Sequence, residues 1–228
     1  MYRTGAFPVA ACTAVLALTA CSSGSGGSSS SSGISDAPSS PMTSTVAVGA
    51  PPGAKVLGAP GVGQPFTITV TYSNDAQPSK FKLTVTGVVC GQGLDPAVLA
   101  YAASSIGESS SPSPTPGPGT EYCVMSMDAV NVGNAAANWN ADNTVSLNVG
   151  AVEYSETSQD QEFALDYEQY WYSKGQVGPT FGINPGVEGP VHGVFEIPAG
   201  ATPTSLWVAV GGAITTMDGV EPGYLVKL

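Results

Sequence analysis

From Thr45 to the end of the chain, apolar and polar residues alternate with a period of two. In FTITVTY, Phe66, Ile68 and Val70 share one face and Thr67, Thr69 and Thr71 the other. The same reading predicts strands at Thr45–Val48, Phe66–Tyr72, Lys80–Cys90, Glu121–Val132 and Thr144–Val149. It predicts further strands at Phe163–Tyr172, Val191–Ile197, Leu206–Val210 and Tyr224–Leu228. These runs are rich in Val, Ile, Thr and aromatic residues, and Gly, Pro, Asn and Asp punctuate them. The pattern predicts an all-β fold, an antiparallel β-sandwich. One short helix interrupts it, where Asp95 is placed to cap and Pro96 to open the run AVLAYAAS.

The start of the chain breaks the pattern. Residues 1–20 hold one cationic residue, Arg3, then the apolar run AFPVAACTAVLAL and small residues. That length and order fit an export signal better than a membrane span. Leu18-Thr19-Ala20-Cys21 resembles the lipobox of bacterial lipoprotein signal peptides. The resemblance implies cleavage before Cys21, with a diacylglyceryl group on its sulfur. Residues 21–44 then form a Ser/Gly-rich linker that has too little apolar surface to fold. As a random coil it reaches about 25–30 Å, and its serines are possible glycan acceptors. Residues 45–228 remain as the folded domain.

Charge and composition narrow the partners. Charged residues make up 10% of the chain, against a usual ~25%, so turns and short strands are favoured over exposed helices. The net charge is −11, which opposes binding to nucleic acid and to anionic lipid. Membrane attachment would therefore rest on the lipid at Cys21, and two acyl chains suffice where one binds only marginally. Cys12 leaves with the export segment, so Cys90 and Cys123 remain as an even pair in an oxidising compartment. They read as a disulfide, with two buried free thiols as the alternative. The Ser/Pro-rich loop Glu108–Gly119 lies between them.

Three stretches carry a family resemblance: AVNVGN from Ala129, FALDYEQYWYSKG from Phe163, and NPGVEGPVHGVFEIPAGATPTSLWVAV from Asn184. Their order is similar to an immunoglobulin-like family of unknown function found on Gram-positive surface lipoproteins. The shared elements are a Pro-Gly turn (Pro185-Gly186), Phe195-Glu196-Ile197-Pro198, a small-residue turn at Ala199–Ala201 and a last apolar strand. The likeness extends in fold to the mycobacterial immunoprotective extracellular antigen. It implies an immunoglobulin-like sandwich at the cell surface and lends no catalytic residues. The Cys90–Cys123 pair and the long Ser/Pro loop depart from the family's pattern.

Chemistry is sparse. The one histidine, His192, falls on the same strand face as Val194 and Glu196, which reads as a surface imidazole beside a carboxylate. No nucleophile elbow accompanies it. The Gly-rich pieces lack a P-loop lysine and read as turns. No metal or cofactor set is complete by spacing. The acidic run Glu153–Glu168 admits three readings: a solvated face, a Ca²⁺ site, or paired glycosidase carboxylates. Tyr170, Trp171 and Tyr172 form the densest aromatic group. They read either as strand packing or as a ligand-binding patch, with alternation placing Tyr170 and Tyr172 on one face.

These features point to a membrane-anchored, extracytoplasmic binding module that is not an enzyme, meeting an envelope polymer or surface protein. The alternatives are an envelope hydrolase using the acidic run and a passive structural protein. Anchoring is tested first. Cys21→Ala should abolish lipid incorporation and shift the protein from the detergent to the aqueous phase, and equal partitioning of the two forms would refute the lipobox.

Overall fold

The computed structural model describes residues 47–71, 77–107 and 114–228. Cys21, the linker and the first half of the expected first strand lie outside them, as does the front half of the Ser/Pro loop. Val48, the last residue of that expected strand, sits in a turn.

Among the described residues, eleven strands and two α-helices follow in chain order: β1 (Val56–Gly58), β2 (Phe66–Val70), β3 (Ser79–Cys90), α1 (Pro96–Ser105) and β4 (Thr120–Asn131). Then come β5 (Val145–Val149), β6 (Val152–Tyr154), α2 (Ser158–Ser173) and β7 (Glu188–Pro198). The last are β8 (Ser205–Ala209), β9 (Thr215–Thr216), β10 (Gly219–Val220) and β11 (Gly223–Lys227). One sheet runs β2-β3-β4-β7 and the other β1-β11-β8-β5-β6, with β9 and β10 forming a small separate hairpin. The chain changes sheet between β1 and β2, β4 and β5, β6 and β7, and β7 and β8, so the two sheets are woven together as a sandwich. Pairing is antiparallel except at β1, which runs parallel to β11.

Alternation builds the core. Ile68 and Val70 of β2, Phe81 and Leu83 of β3, and Met125 and Met127 of β4 meet Leu147 of β5, Leu206 and Val208 of β8, and Val226 of β11. All are essentially excluded from solvent. Burying each is worth roughly 1.5–3 kcal/mol, so this layer holds the two sheets together. Each sheet also has a covered outer face. Leu94, Val98 and Leu99 around α1, with Ala164 and Tyr167 of α2, pack on Tyr122 and Val194. On the far side, Trp207 and Leu225 are covered by Ala47, Ala50, Ala54 and Val56.

The expected strand at Phe163–Tyr172 is instead part of α2, so the described residues hold two α-helices where the sequence reading gave one. The local reason is a capping box. Thr157 N donates to Asp160 Oδ2 at 2.9 Å, and Asp160 N donates to Thr157 Oγ1 at 3.2 Å. From there Asp160, Ala164, Tyr167 and Glu168 recur at helical spacing as the buried stripe. The aromatic residues had suggested β structure, yet the Gln, Glu, Ala and Leu among them favour a helix. Helix α1 forms as expected, with Asp95 Oδ1 accepting from Ala97 N at 2.8 Å.

The motif residues of the surface-lipoprotein resemblance have structural work here. Asn131 is fully buried, and its amide donates to Ala135 O and Ile183 O at 2.8 Å each. Gly186 N donates to Asn131 O at 2.8 Å, which fastens the Pro-Gly turn to the end of β4.

Cys90 and Cys123 are bonded. They are register partners on β3 and β4, with Cα atoms 4.0 Å apart, so the bond lies within one sheet and closes the α1–loop excursion at its base. A loop of this length implies about 3–4 kcal/mol of stabilisation on the chain-entropy model. Cys90→Ala/Cys123→Ala should therefore melt about 10 °C lower, at ~2–4 °C per kcal/mol for a domain of this size. Calorimetry of the oxidised protein beside this variant checks it, and an unchanged melting temperature would contradict the assignment.

Candidate functional site

Strand β7 lies at the edge of its sheet, so one side of its backbone has no neighbouring strand. Two carboxylates occupy that side. Glu168 Oε1, from α2, accepts from His192 N at 2.8 Å. Glu156 Oε1, from the segment before α2, accepts from Val194 N at 2.7 Å. Alternate N–H groups of the strand are thus satisfied by side chains, which closes an edge that would otherwise invite strand addition. Tyr167 supplies a second tie, its hydroxyl accepting from Asp95 N at 2.8 Å at the start of α1.

These contacts place a cleft of about 490 Å³ between α2, the segment Asn140–Asp142 and Thr180. Glu168 and His192 line it, and Glu162, Asp142 and Leu165 lie around them. The side chains of His192 and Glu168 keep only 8% and 5% of their surface, with Nδ1 of the imidazole 3.4 Å from Oε1 of the carboxylate. His192 is stacked with Tyr167 at 5.0 Å between ring centroids and, further out, lies parallel to Trp171 at 6.5 Å. Among the described residues, Glu168 Oε2 and His192 Nδ1 are buried without a hydrogen bond. Two glycines permit this approach. A side chain at Gly178 would strike Glu168 Oε2, and one at Gly189 would strike the carbonyl of Val177.

His192 is therefore not a surface residue beside Glu196, and this corrects the sequence reading. Its carboxylate neighbour is Glu168, brought over by a helix that the reading had made a strand. Glu196 belongs elsewhere: Oε1 accepts from Gly117 N at 2.7 Å and also contacts Thr120 Oγ1.

The acidic run does not form one solvated face. Glu153 and Glu162 are exposed, whereas Asp160 and Glu168 are buried. Burial pushes the carboxyl of Glu156 up to about 8, helped by the negative charges of Asp142 and Asp160 and opposed by the Val194 N–H. Burial likewise raises Asp142, Asp160 and Asp166 above the usual carboxylate range. Among the described residues, no group of three His, Cys, Asp or Glu converges on a metal position.

The aromatic residues at 170–172 point three ways, as successive helical positions must. Tyr170 meets Tyr101 of α1 edge-on at 6.0 Å, with Lys174 Nζ 5.0 Å from its ring centre. Trp171 lies over His192. Tyr172 is exposed and packs on Phe181 at 5.1 Å, and Phe181 is exposed too. Tyr170 and Tyr172 do not share a face. The signal for Glu168 was nonetheless in the sequence: once Thr157-x-x-Asp160 is read as a capping box, Glu168 falls on the stripe with Asp160, Ala164 and Tyr167.

Fold and site define a β-sandwich with two helices on one outer face and a polar-floored cleft beneath the longer one. No family model and no curated protein sequence matches the chain. Three solved structures are similar to it. A conserved hypothetical protein from Bacillus anthracis is 17% identical, with 65% of this chain and 87% of that one covered and a TM-score of 0.40. An uncharacterized β-sandwich protein from Clostridium difficile is 15% identical over 77% and 95%, with a TM-score of 0.39. The yjhA protein from Bacillus subtilis is 14% identical over 74% and 99%, with a TM-score of 0.37.

The raised carboxyl of Glu156 gives a pH prediction. Its ordinary value of 4.5 rises to about 8 on folding, so between those values the folded state binds a proton that the unfolded chain has lost. Its contribution to stability is then full below about pH 4.5 and is lost as pH rises through about 8. The raised Asp142, Asp160 and Asp166 act in the same direction. Wild type should melt several degrees higher at pH 5 than at pH 8.5, and Glu156→Gln should narrow the gap. An unchanged gap in that variant would refute the assignment.

Proposed function

We propose that the protein is a lipid-tethered, extracytoplasmic binding module whose ligand enters the cleft beneath α2. The observation that carries this is the floor of the cleft, where two ionisable side chains are more than nine-tenths buried. Such groups are costly to hold in place without hydrogen bonds. A concave site with apolar walls and a few fixed polar groups is the usual form of a small-molecule site. Ala141, Ala164 and Leu165 supply the apolar part here.

The tether follows from Leu18–Cys21 and the Ser/Gly linker, which would present the domain to the envelope polymer or to neighbouring surface proteins. Of the aromatic trio expected to bind, Trp171 belongs to this site through its stack on His192, and Tyr172 with Phe181 forms a separate exposed pair. A second reading is hydrolysis. It is favoured by the Glu168–His192 couple, since a carboxylate beside an imidazole nitrogen is how many general bases are oriented.

Saturation-transfer NMR of the full-length protein in detergent, with small fragments of hydrolysed envelope, separates these readings. Wild type should bind fragments and return them chemically unchanged. Leu165→Trp, which fills the cleft without touching its charges, should lose that binding, whereas Tyr170→Ala/Tyr172→Ala should keep most of it. Fragments consumed by wild type and spared by His192→Gln would establish the hydrolase instead. Binding unaffected by Leu165→Trp would remove the cleft from consideration.

A further inference from the structure

The sheet that carries β7 has two edges, and they are finished differently. The outer edge of β7 is closed by Glu156 and Glu168. The opposite edge is β2, which among the described residues pairs only with β3. Val132 N donates to Lys80 O at 2.9 Å, so the backbone of Lys80 faces β4. Alternation then turns Phe81 towards β2, where its register partner is Ile68. The N–H and C=O groups of Thr67 and Thr69 therefore point out of the sheet, and the described residues give them no hydrogen-bond partner.

Charge sets this edge apart. Thr67 and Thr69 are exposed, and their register partners Lys82 and Lys80 are exposed on the same outer face. Neither lysine forms an ion pair among the described residues. In a chain with 17 Asp and Glu against 6 Lys and Arg, the two make a local cationic strip. Charges more than about 8 Å away are largely screened at physiological salt, so the strip acts on what lies beside it despite the net negative charge. A pocket of about 360 Å³ adjoins the edge at Thr69 and Thr71, and Glu221 lines it.

A second copy of the chain does not suit this edge, because pairing β2 with β2 would bring the lysines of both copies onto one face. An acidic strand does. Added beside β2, it lies about 9.5 Å from β3, a span that lysine and glutamate side chains close between them over the threonines.

We propose that the β2 edge binds an extended acidic peptide by antiparallel strand addition, a protein-binding surface independent of the cleft. The peptide backbone bonds to Thr67 and Thr69, and carboxylates at alternate positions meet Lys82 and Lys80. An uncharged residue belongs at the Thr71 end, near Glu221. Backbone pairing supplies affinity and the alternate side chains supply specificity. Residues directly opposite in an antiparallel pair share a face, so the peptide residues that carry the carboxylates also carry the bonded N–H groups.

The test follows the amides of ¹⁵N-labelled full-length protein in detergent, titrated at low salt with acetyl-Thr-Val-Glu-Val-Glu-Val amide. Solvent exchange should slow at the amides of Thr67 and Thr69. Methylating the backbone nitrogens of both peptide glutamates should abolish binding, whereas methylating those of the valines should spare most of it. Lys80→Gln/Lys82→Gln should weaken binding about fivefold, and the peptide with lysine in place of glutamate should not bind detectably. Thr69→Pro removes one edge donor and should weaken binding too; if it does not fold, the methylated peptides decide the matter.

A glutamate-methylated peptide that binds as well as its parent would reveal attraction by charge alone and overturn the proposal, as would a parent peptide that does not bind. A concentration-dependent dimer in the absence of peptide, abolished by Thr69→Pro, would overturn it as well and give the edge to a second copy.

Discussion

The outer edge of β7 is the constraint on which the helical half of this protein depends. A strand at a sheet edge must place its N–H groups in water or against an acceptor. Here the acceptors are two glutamates, Glu156 and Glu168, from the segment leading into α2 and from α2 itself. Their reach fixes the height and the angle of the helix over the strand. The return path from α2 then has to pass close to the same strand, and Gly178 and Gly189 are where it does so. The cleft follows from this arrangement, because the helix is held by hydrogen bonds at the strand's edge and leaves room along its flank.

The sheets were legible in the chain because their information is local. A period of two with threonines facing outward is written directly in FTITVTY, and Cys90 and Cys123 stood as an even pair once Cys12 was read into an export signal and Cys21 as the lipidation site. Strands β1, β6, β9 and β10 are two or three residues long and leave no periodic trace. Helix α2 was misread for a different reason. Its aromatic residues have high β propensity, and in a window holding Tyr170, Trp171 and Tyr172 they outweighed a capping box thirteen residues earlier. That one error hid the site, since Glu168 meets His192 only if residues 158–173 are helical. A contact between a helix and a strand two dozen residues apart is a tertiary fact, and only the correct period on both elements brings it into view.

Carboxylates in this domain are partitioned by task. Those on the surface, such as Glu153 and Glu162, face solvent, and those under α2 serve as acceptors for backbone donors. Glu156 and Asp160 sit where burial opposes ionisation, so the region combines good hydrogen bonding with poor solvation of charge. Such an arrangement sacrifices some stability at neutral pH, and proteins commonly accept that sacrifice where a site requires it. The disulfide and the continuous core between the sheets supply stability elsewhere in the domain.

The near-parallel stack of Trp171 on His192 has a practical side. Trp139 and Trp207 are sealed in the interior at 1% and 0% exposure, while Trp171 is only half-buried and lies parallel to the imidazole of His192. Through its stack on His192 its indole emission is the one coupled to the cleft floor, and a protonated imidazole beside an indole is an efficient quencher. The molecule carries its own optical gauge of the site, readable without a label and against two tryptophans that serve as an internal constant.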